Sequence, residues 1–356
     1  MGRSPTFVAP GRVNLMGDHT DYNGGFVLPL AIDRACTVTA ARRSGHRVTA
    51  VSVDVPGAVE VAVDGGDDPF DVVPTWGRFV AGSVRALVDR GVRVAAAELA
   101  ISSTVPVGSG LSSSSALSVA LTQSLAHLVG TQVTGVAAAQ LASAAEIAAT
   151  GVPGGLMDQL ASLFGQAGHA LLIDCRDLSV TPVEIPPGIA VVVVHSGVPR
   201  TLVGSAYASR RAECEAAAAA LAVPSLRDAT FDQVRDLPRA RHVVTENARV
   251  LAMAEALPTG DLSVLGPLLL ASHSSLRDDY EVSTPELDTL VEILVECGAA
   301  GARLTGAGFG GCVVALAQRN HADDVLAKAT LRYRAATGVE PMGFVARAVD
   351  GAHLVD

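Results

Sequence analysis

Short β-branched runs at Cys36–Ala41, Arg47–Val53 and Val59–Val63 are separated by glycine and charged residues, the spacing of strands joined by turns. They predict a meander. Trp76, Phe79, Val80, Val84, Leu87 and Val88 then recur at helical spacing, and Ala97–Val105 reads as a strand that runs into a Gly/Ser-rich loop. Alanine-rich helical stretches follow over Ser113–Leu128 and Val136–Thr150, Gly151–Gly155 breaks the pattern, and Ala170–Ile173 resumes as a strand. Pro182, Pro186 and Pro187 make Thr181–Gly188 the expected boundary between a domain over 1–181 and another over 189–356. The second half opens on the apolar run Ile189–Val194 and alternates helical patterns at Ser205–Leu221, Arg239–Leu257 and Leu262–Leu276. Thr284 before Pro285 is an N-cap signal for a helix ending near Gly298. Cys312–Ala317, a helical Ala322–Ala335 and Gly343–Val349 complete an α+β pattern.

A chain of 356 residues is expected to form about two domains. With 49% hydrophobic and 17% charged residues, burial can offset the entropy of ordering, which excludes disorder for most of it. The formal net charge of −10 has the wrong sign for neutralising nucleic-acid phosphates or anionic lipid, so neither nucleic acid nor membrane is an expected partner. Lys328 is the single lysine, in a plain helical stretch, which argues against a Walker-type phosphate loop, a protein-kinase site and a pyridoxal Schiff base. Five scattered cysteines with no CxxC spacing indicate neither a disulfide framework nor a zinc knuckle, and a reducing cytoplasm fits best.

Four segments can carry chemistry. In Pro106–Ala116 (PVGSGLSSSSA), Gly108 and Gly110 let backbone approach an anion, while the following helix offers free N–H groups and its positive dipole end. One serine would serve as a cap; four in a row after Gly-x-Gly favour phosphate binding. Gly306–Gly311 contains a literal GxGxxG, but it precedes a strand instead of opening a helix, so it is either a bulged turn or a loop pressed against a ligand, not a dinucleotide fingerprint. Arg12–Gly25 (RVNLMGDHTDYNGG) gathers Asp18, His19, Asp21, Asn14 and Asn23 in a set suited to sugar hydroxyls, with a metal site from Asp18, His19 and Asp21 or a polar turn as alternatives. Gly154-Gly155-Leu156-Met157-Asp158 places a carboxylate after a flexible turn, as a helix cap or as one of two working acids with Glu146.

Together these segments resemble the galactokinases of the GHMP small-molecule kinase superfamily. Gly11–Asp33 is similar to the galactokinase signature, Pro106–Ala116 to the ATP-binding motif and Leu304–Cys312 to the third motif, in the family's order. The resemblance implies a two-domain α+β GHMP kinase fold, with an N-terminal half like ribosomal protein S5 domain 2 and a C-terminal ferredoxin-like α/β sandwich. It implies a catalytic pair, Arg12 and Asp158, and a sugar pocket of Asp18, His19, Asp21, Gly155 and Tyr207. By the same resemblance, Gly108, Ser109, Gly110, Ser112, Ser113 and Ser114 would wrap the ATP phosphates, Trp76 would sit near the nucleoside, and Gly308, Gly310 and Gly311 would shape the floor between the substrates. Ser114 and Glu146 would bind Mg²⁺. The implied reaction moves the ATP γ-phosphoryl to the anomeric hydroxyl of a hexose, in a cytoplasmic monomer or weak homodimer. Most of the family has glutamate where this chain has Asp18, facing the C6 hydroxyl, which opens the alternatives of a C6-modified galactose or L-arabinose. A silent sugar and ATP sensor is the further alternative. His46, His127, His169, His195, His242, His321 and His353 are expected as packing or surface residues.

Overall fold

The computed structural model describes residues 4–106, 108–198 and 203–355, with the side chains of 203–205 left aside. Its first half is built from β1 (Thr6–Asn14), β2 (Phe26–Val27), β3 (Pro29–Arg42), β4 (Arg47–Ser52), β5 (Ala58–Ala62), α1 (Arg78–Asp89), β6 (Ala97–Ser103), α2 (Ser113–His127) and α3 (Gly135–Thr150). Next come α4 (Met157–Phe164), β7 (His169–Asp174), β8 (Ser179–Glu184) and β9 (Ile189–His195). The remainder is α5 (Val203–Ala220), α6 (Phe231–Val234), α7 (Pro238–Ala256), α8 (Leu262–Asp278), α9 (Pro285–Glu296), β10 (Gly301–Thr305), β11 (Cys312–Gln318), α10 (Ala322–Thr337), β12 (Met342–Ala346) and β13 (His353–Val355).

Alternation along β4 and β5 buries one face of each strand, and α1 turns Val80, Val84 and Leu87 toward the same core. The resulting sheet has the order β13-β1-β3-β6-β4-β5, antiparallel except for the β4–β6 pair, and α1, α2 and α3 share its core. A second sheet, β10-β11-β9-β12, has its own core, to which α7, α9 and α10 contribute. Strands β9 and β11 are buried almost end to end, which explains their unbroken apolar runs.

Thr181–Gly188 begins inside β8, where Pro182 stands opposite Leu171 of β7. Strand β8 is the outer member of the sheet β2-β7-β8, and an edge strand tolerates a residue without an N–H. The end of the chain also returns to the first half: β13 pairs with β1, and Ile32 bridges Ala348. Between the two halves lies a shared cluster in which Val13, Leu15 and Met16 pack with Val250, Met253, Leu265 and Leu269. Leu15 and Met16 are wholly buried, each contributing on the order of 1.5–3 kcal/mol, and they anchor the polar loop that follows β1. Gly17 turns that loop at φ +95°, where a Cβ would stand 2.6 Å from the Phe26 carbonyl oxygen.

Candidate active site

The Gly/Ser loop lies between β6 and α2; its Val107 is outside the described residues. Ser112, the residue before α2, adopts φ 61° and ψ 44° and makes no side-chain cap. That left-handed conformation is costly for a serine. Its hydroxyl instead donates to the Asp158 carboxylate, so it leaves the first N–H groups of α2 to whatever occupies the cavity. That cavity, about 680 Å³, is lined by Gly108, Gly110, Ser112, Ser113 and Ser114 on one side and by Trp76 and Phe79 on another. Ser109 is buried, and its hydroxyl donates to the Pro106 carbonyl at 2.7 Å within its own loop.

Strand β1 presses against this loop at Gly11, where a Cβ would meet the Leu111 carbonyl oxygen at 2.6 Å. The closeness lets the Arg12 amide donate to that oxygen at 3.1 Å. The Arg12 guanidinium grips Asp158 through Nε and Nη2, each at 2.8 Å, and donates through Nη1 to the Gly110 carbonyl at 2.6 Å. Asp158 stands in the first turn of α4, positioned by the turn that Gly154 and Gly155 begin. With Nε, Nη2 and Ser112 as donors, Asp158 keeps one acceptor site, on Oδ1, out of about four that a carboxylate offers.

A second cavity, about 300 Å³, shares Arg12 and Asp158 with the first and is lined by Asp18, His19, Asp21, Gly155, Tyr207 and Glu146, among others. Gly155 has no room for a side chain, because its Cβ would fall 2.0 Å from Asp21 Oδ2. Burial, with Asp158 nearby, pushes the Asp21 carboxyl up to about 6. Burial, with His242 close, lowers His19 to about 3, so the ring is neutral. Its Nε2 then donates to the Ala307 carbonyl at 3.2 Å, and Nδ1 accepts from the Tyr22 hydroxyl at 2.9 Å. The Tyr207 ring lies 5.8 Å from His19 and 5.4 Å from Tyr22, and burial raises its hydroxyl well above the usual range. Among the described residues no group of three or more His, Cys, Asp or Glu side chains is placed to hold a metal, which removes the metal-site reading of Asp18, His19 and Asp21.

Glu146 reaches from α3 to the start of α2. Its Oε2 accepts from Ser115 at 2.8 Å and from Gln159 at 2.7 Å; burial raises the carboxyl, with Ser114 and Ser115 opposing. Among the described residues no arginine or lysine pairs with it. Of the third motif, Gly306 and Ala307 line the smaller cavity, and Gly308, Gly310 and Gly311 stand outside the lining of both. A Cβ on Gly308 would meet the Val282 carbonyl oxygen at 2.3 Å, and the Gly311 carbonyl accepts from the Ser196 amide at 2.9 Å, so Gly308 and Gly311 also pack the turn.

Sequence reasoning passed over several residues here. His195, expected as a packing residue, lines the larger cavity and accepts from the Gly197 amide at 3.0 Å. Ser115 and Gln159 hold Glu146, and the wholly buried Arg303 holds Asp18. The serine run was a legible signal for Ser115; nothing local marked Gln159 or Arg303.

Comparison with known proteins agrees with this geometry. Residues 1–42 match the galactokinase galactose-binding signature, residues 78–166 the GHMP kinases N terminal domain and residues 253–335 the GHMP kinases C terminal region. A galactokinase of Roseiflexus sp. (strain RS-1) is 45% identical, covering 98% of this chain and 92% of the relative. A galactokinase of Chloroflexus aurantiacus is 43% identical, covering 99% and 95%. The crystal structure of Lactococcus lactis galactokinase complexed with galactose superposes with a TM-score of 0.92 at 33% identity, covering 98% of this chain and 94% of the other. Methanococcus jannaschii mevalonate kinase, at 18% identity and a TM-score of 0.72, shares the fold. The chain therefore belongs to the galactokinase family of GHMP kinases, α+β phosphotransferases with a hydroxyl acceptor.

Proposed function

We propose that the protein transfers the γ-phosphoryl group of ATP to the anomeric hydroxyl of D-galactose, giving α-D-galactose 1-phosphate. One observation carries the reading: a cavity floored by the Gly/Ser loop and a smaller polar cavity meet at the Arg12–Asp158 pair. The larger takes ATP, with Trp76 beside the nucleoside and the phosphates over Gly108, Gly110 and the first turn of α2. The smaller takes the sugar, whose hydroxyls meet Asp18, His19, Asp21 and Tyr207. Asp158 Oδ1 has one free acceptor site, and the anomeric O–H donates to it as the oxygen attacks phosphorus. Arg12 uses Nε, one N–H of Nη1 and one of Nη2 on Asp158 and Gly110. Its remaining N–H bonds face the charge that spreads over the phosphoryl oxygens in a loose transition state, the role that lysine fills in other kinases.

Glu146 and Ser114 suit Mg²⁺, since a buried carboxylate with neutral donors and no cation beside it ionises readily only when a cation arrives. Such an ion, when bound, neutralises phosphate charge. The phosphates themselves would complete its coordination. The five cysteines stand as thiols, the form a reducing cytoplasm maintains, and among the described residues no helix is long and apolar enough to cross a membrane. The test is ADP release from MgATP by the purified protein against D-galactose, its C6-modified forms, L-arabinose, glucose and mannose. Preference for galactose supports the reading; another preferred sugar moves the substrate; no turnover on any overturns the enzyme reading.

A further inference from the structure

Beneath the sugar loop lies a cluster of buried charges that meets the smaller cavity only through Asp18. Arg303, at the centre of β10, is wholly buried; its guanidinium donates to the Leu15 carbonyl at 3.1 Å and to Asp18 Oδ2 at 2.5 Å. Glu246 of α7, equally buried, accepts from the Gly17 amide at 2.9 Å and from Ser272 Oγ at 2.7 Å. Arg249 pairs with it at 2.7 Å, and its other oxygen is 3.9 Å from the Arg303 guanidinium. Four charges thus alternate in sign from Asp18 to Arg249. Buried ion pairs are weak sources of stability, and Leu15 and Met16 already anchor this loop, so the arrangement calls for another reason.

The acceptor sites of Asp18 supply it. Oδ1 accepts from Asn14 Nδ2 and from the Gly306 amide, each at 3.1 Å, and Oδ2 accepts from Arg303. Of the roughly four sites a carboxylate offers, one on Oδ2 is left for a ligand in the cavity that Asp18 lines. We infer that Arg303, braced by Glu246, is a positioning residue that sets sugar specificity: it holds Asp18 as an acceptor aimed at one particular hydroxyl of the bound sugar. The inference rests on the sugar-kinase reading of the site.

Removal of Arg303 has a predictable electrostatic sign. Burial raises the Asp18 carboxyl, and Arg303 is the largest opposing influence, ahead of Asn14 and Arg12. The other titratable groups around Asp18 are His19 and Asp21 on its own loop and His242 and Glu246 on α7. His19 and His242, lowered to about 3 and about 4, are neutral at working pH, and burial notwithstanding, the arginines bring Glu246 down to about 2. Without Arg303 the Asp18 carboxyl is pushed further up, takes up a proton more readily and is weakened as an acceptor, whereas Asp21 continues to titrate near 6.

The test measures kcat/KM for galactose and for its singly deoxygenated forms with wild type, Asp18→Asn, Arg303→Lys, Arg303→Met and Asp18→Asn/Arg303→Met. The hydroxyl whose loss harms wild type and leaves Asp18→Asn indifferent is the one Asp18 receives; wild type prefers galactose over that deoxy sugar by roughly ten- to a hundredfold, the worth of a buried hydrogen bond to a charged group. Arg303→Met loses at least tenfold of this preference at neutral pH and recovers it as pH rises, its ionisation limb lying above that of wild type. Arg303→Lys, which keeps the charge, stays within about threefold of wild type. In the Asp18→Asn background, where no carboxylate is left for Arg303 to hold, removing Arg303 changes the preference by less than twofold. An unchanged preference in Arg303→Met, equal loss on all sugars, or a further loss in the double variant overturns the inference. If wild type does not turn over galactose, the activity reading has failed, and the same preferences are then read from sugar affinity by calorimetry.

Discussion

Replacing Asp158 with asparagine preserves the shape of the side chain while removing its charge and its ability to take a proton. In the native site the carboxylate accepts from Arg12 Nε and Nη2 and from Ser112, and offers its last acceptor site to the substrate. An amide oxygen can accept two of those donors, and the amide N–H₂ must face another donor, so no site remains for the anomeric hydroxyl. Loss of a general base costs about 10²–10⁴ in rate, or about 3–5 kcal/mol of transition-state stabilisation. The nucleotide loop keeps its own supports: the Arg12 amide to Leu111 at 3.1 Å and the Nη1 bond to Gly110 at 2.6 Å. The expected outcome is a kcat lowered by about a thousandfold with ATP affinity within threefold of wild type. Coupled ADP release gives the first quantity, and calorimetry with a non-hydrolysable ATP analogue gives the second. A kcat within tenfold of wild type, or an ATP affinity that falls in step with kcat, would refute the reasoning.

Other consequences can be measured together. Gly155→Ala drives a Cβ into Asp21, 2.0 Å away in the native geometry, and should raise KM for the sugar by about tenfold or more, the loss of one charge-assisted hydrogen bond, with KM for ATP unchanged. Asp21, raised from its usual value to about 6, accepts sugar hydroxyls most strongly when ionised, so kcat/KM for the sugar should fall as pH drops through 6, by up to about tenfold per unit below it; a profile flat down to pH 5 contradicts this. Glu146→Gln removes the charge that suits Mg²⁺ and should raise the Mg²⁺ concentration for half-maximal rate by about tenfold or more; an unchanged Mg²⁺ titration argues against the assignment.

The parts of this molecule that could be read from sequence are those governed by local physics. The Gly/Ser loop announced itself because two glycines and a run of serines before a helix are more than a cap requires, and the helical stripes of α1 and the apolar runs of β9 and β11 fixed those elements. The misses are long-range. Strand β10 is buried on both faces and carries an arginine at its centre, so it shows neither alternation nor an apolar run. Strand β13 exists because β1 has a free edge 339 or more residues away in the chain, and Pro182 reads as a linker only if one ignores that β8 is an outer strand. Arg12 and Asp158 lie 146 residues apart, and only the resemblance to a family joined them before the fold did. In the third motif Gly306 and Ala307 line the smaller cavity, a reach that the spacing of its glycines does not reveal. Arg303 was invisible because a buried arginine is explained only by its partners.

The central claim is that the two cavities present the anomeric hydroxyl of galactose to the γ-phosphoryl group at Asp158. Nuclear magnetic resonance of the product formed from D-galactose and MgATP tests it directly. The account predicts an anomeric proton coupled to phosphorus in a single α-configured sugar 1-phosphate; phosphate on any other hydroxyl, or inorganic phosphate alone, would contradict it.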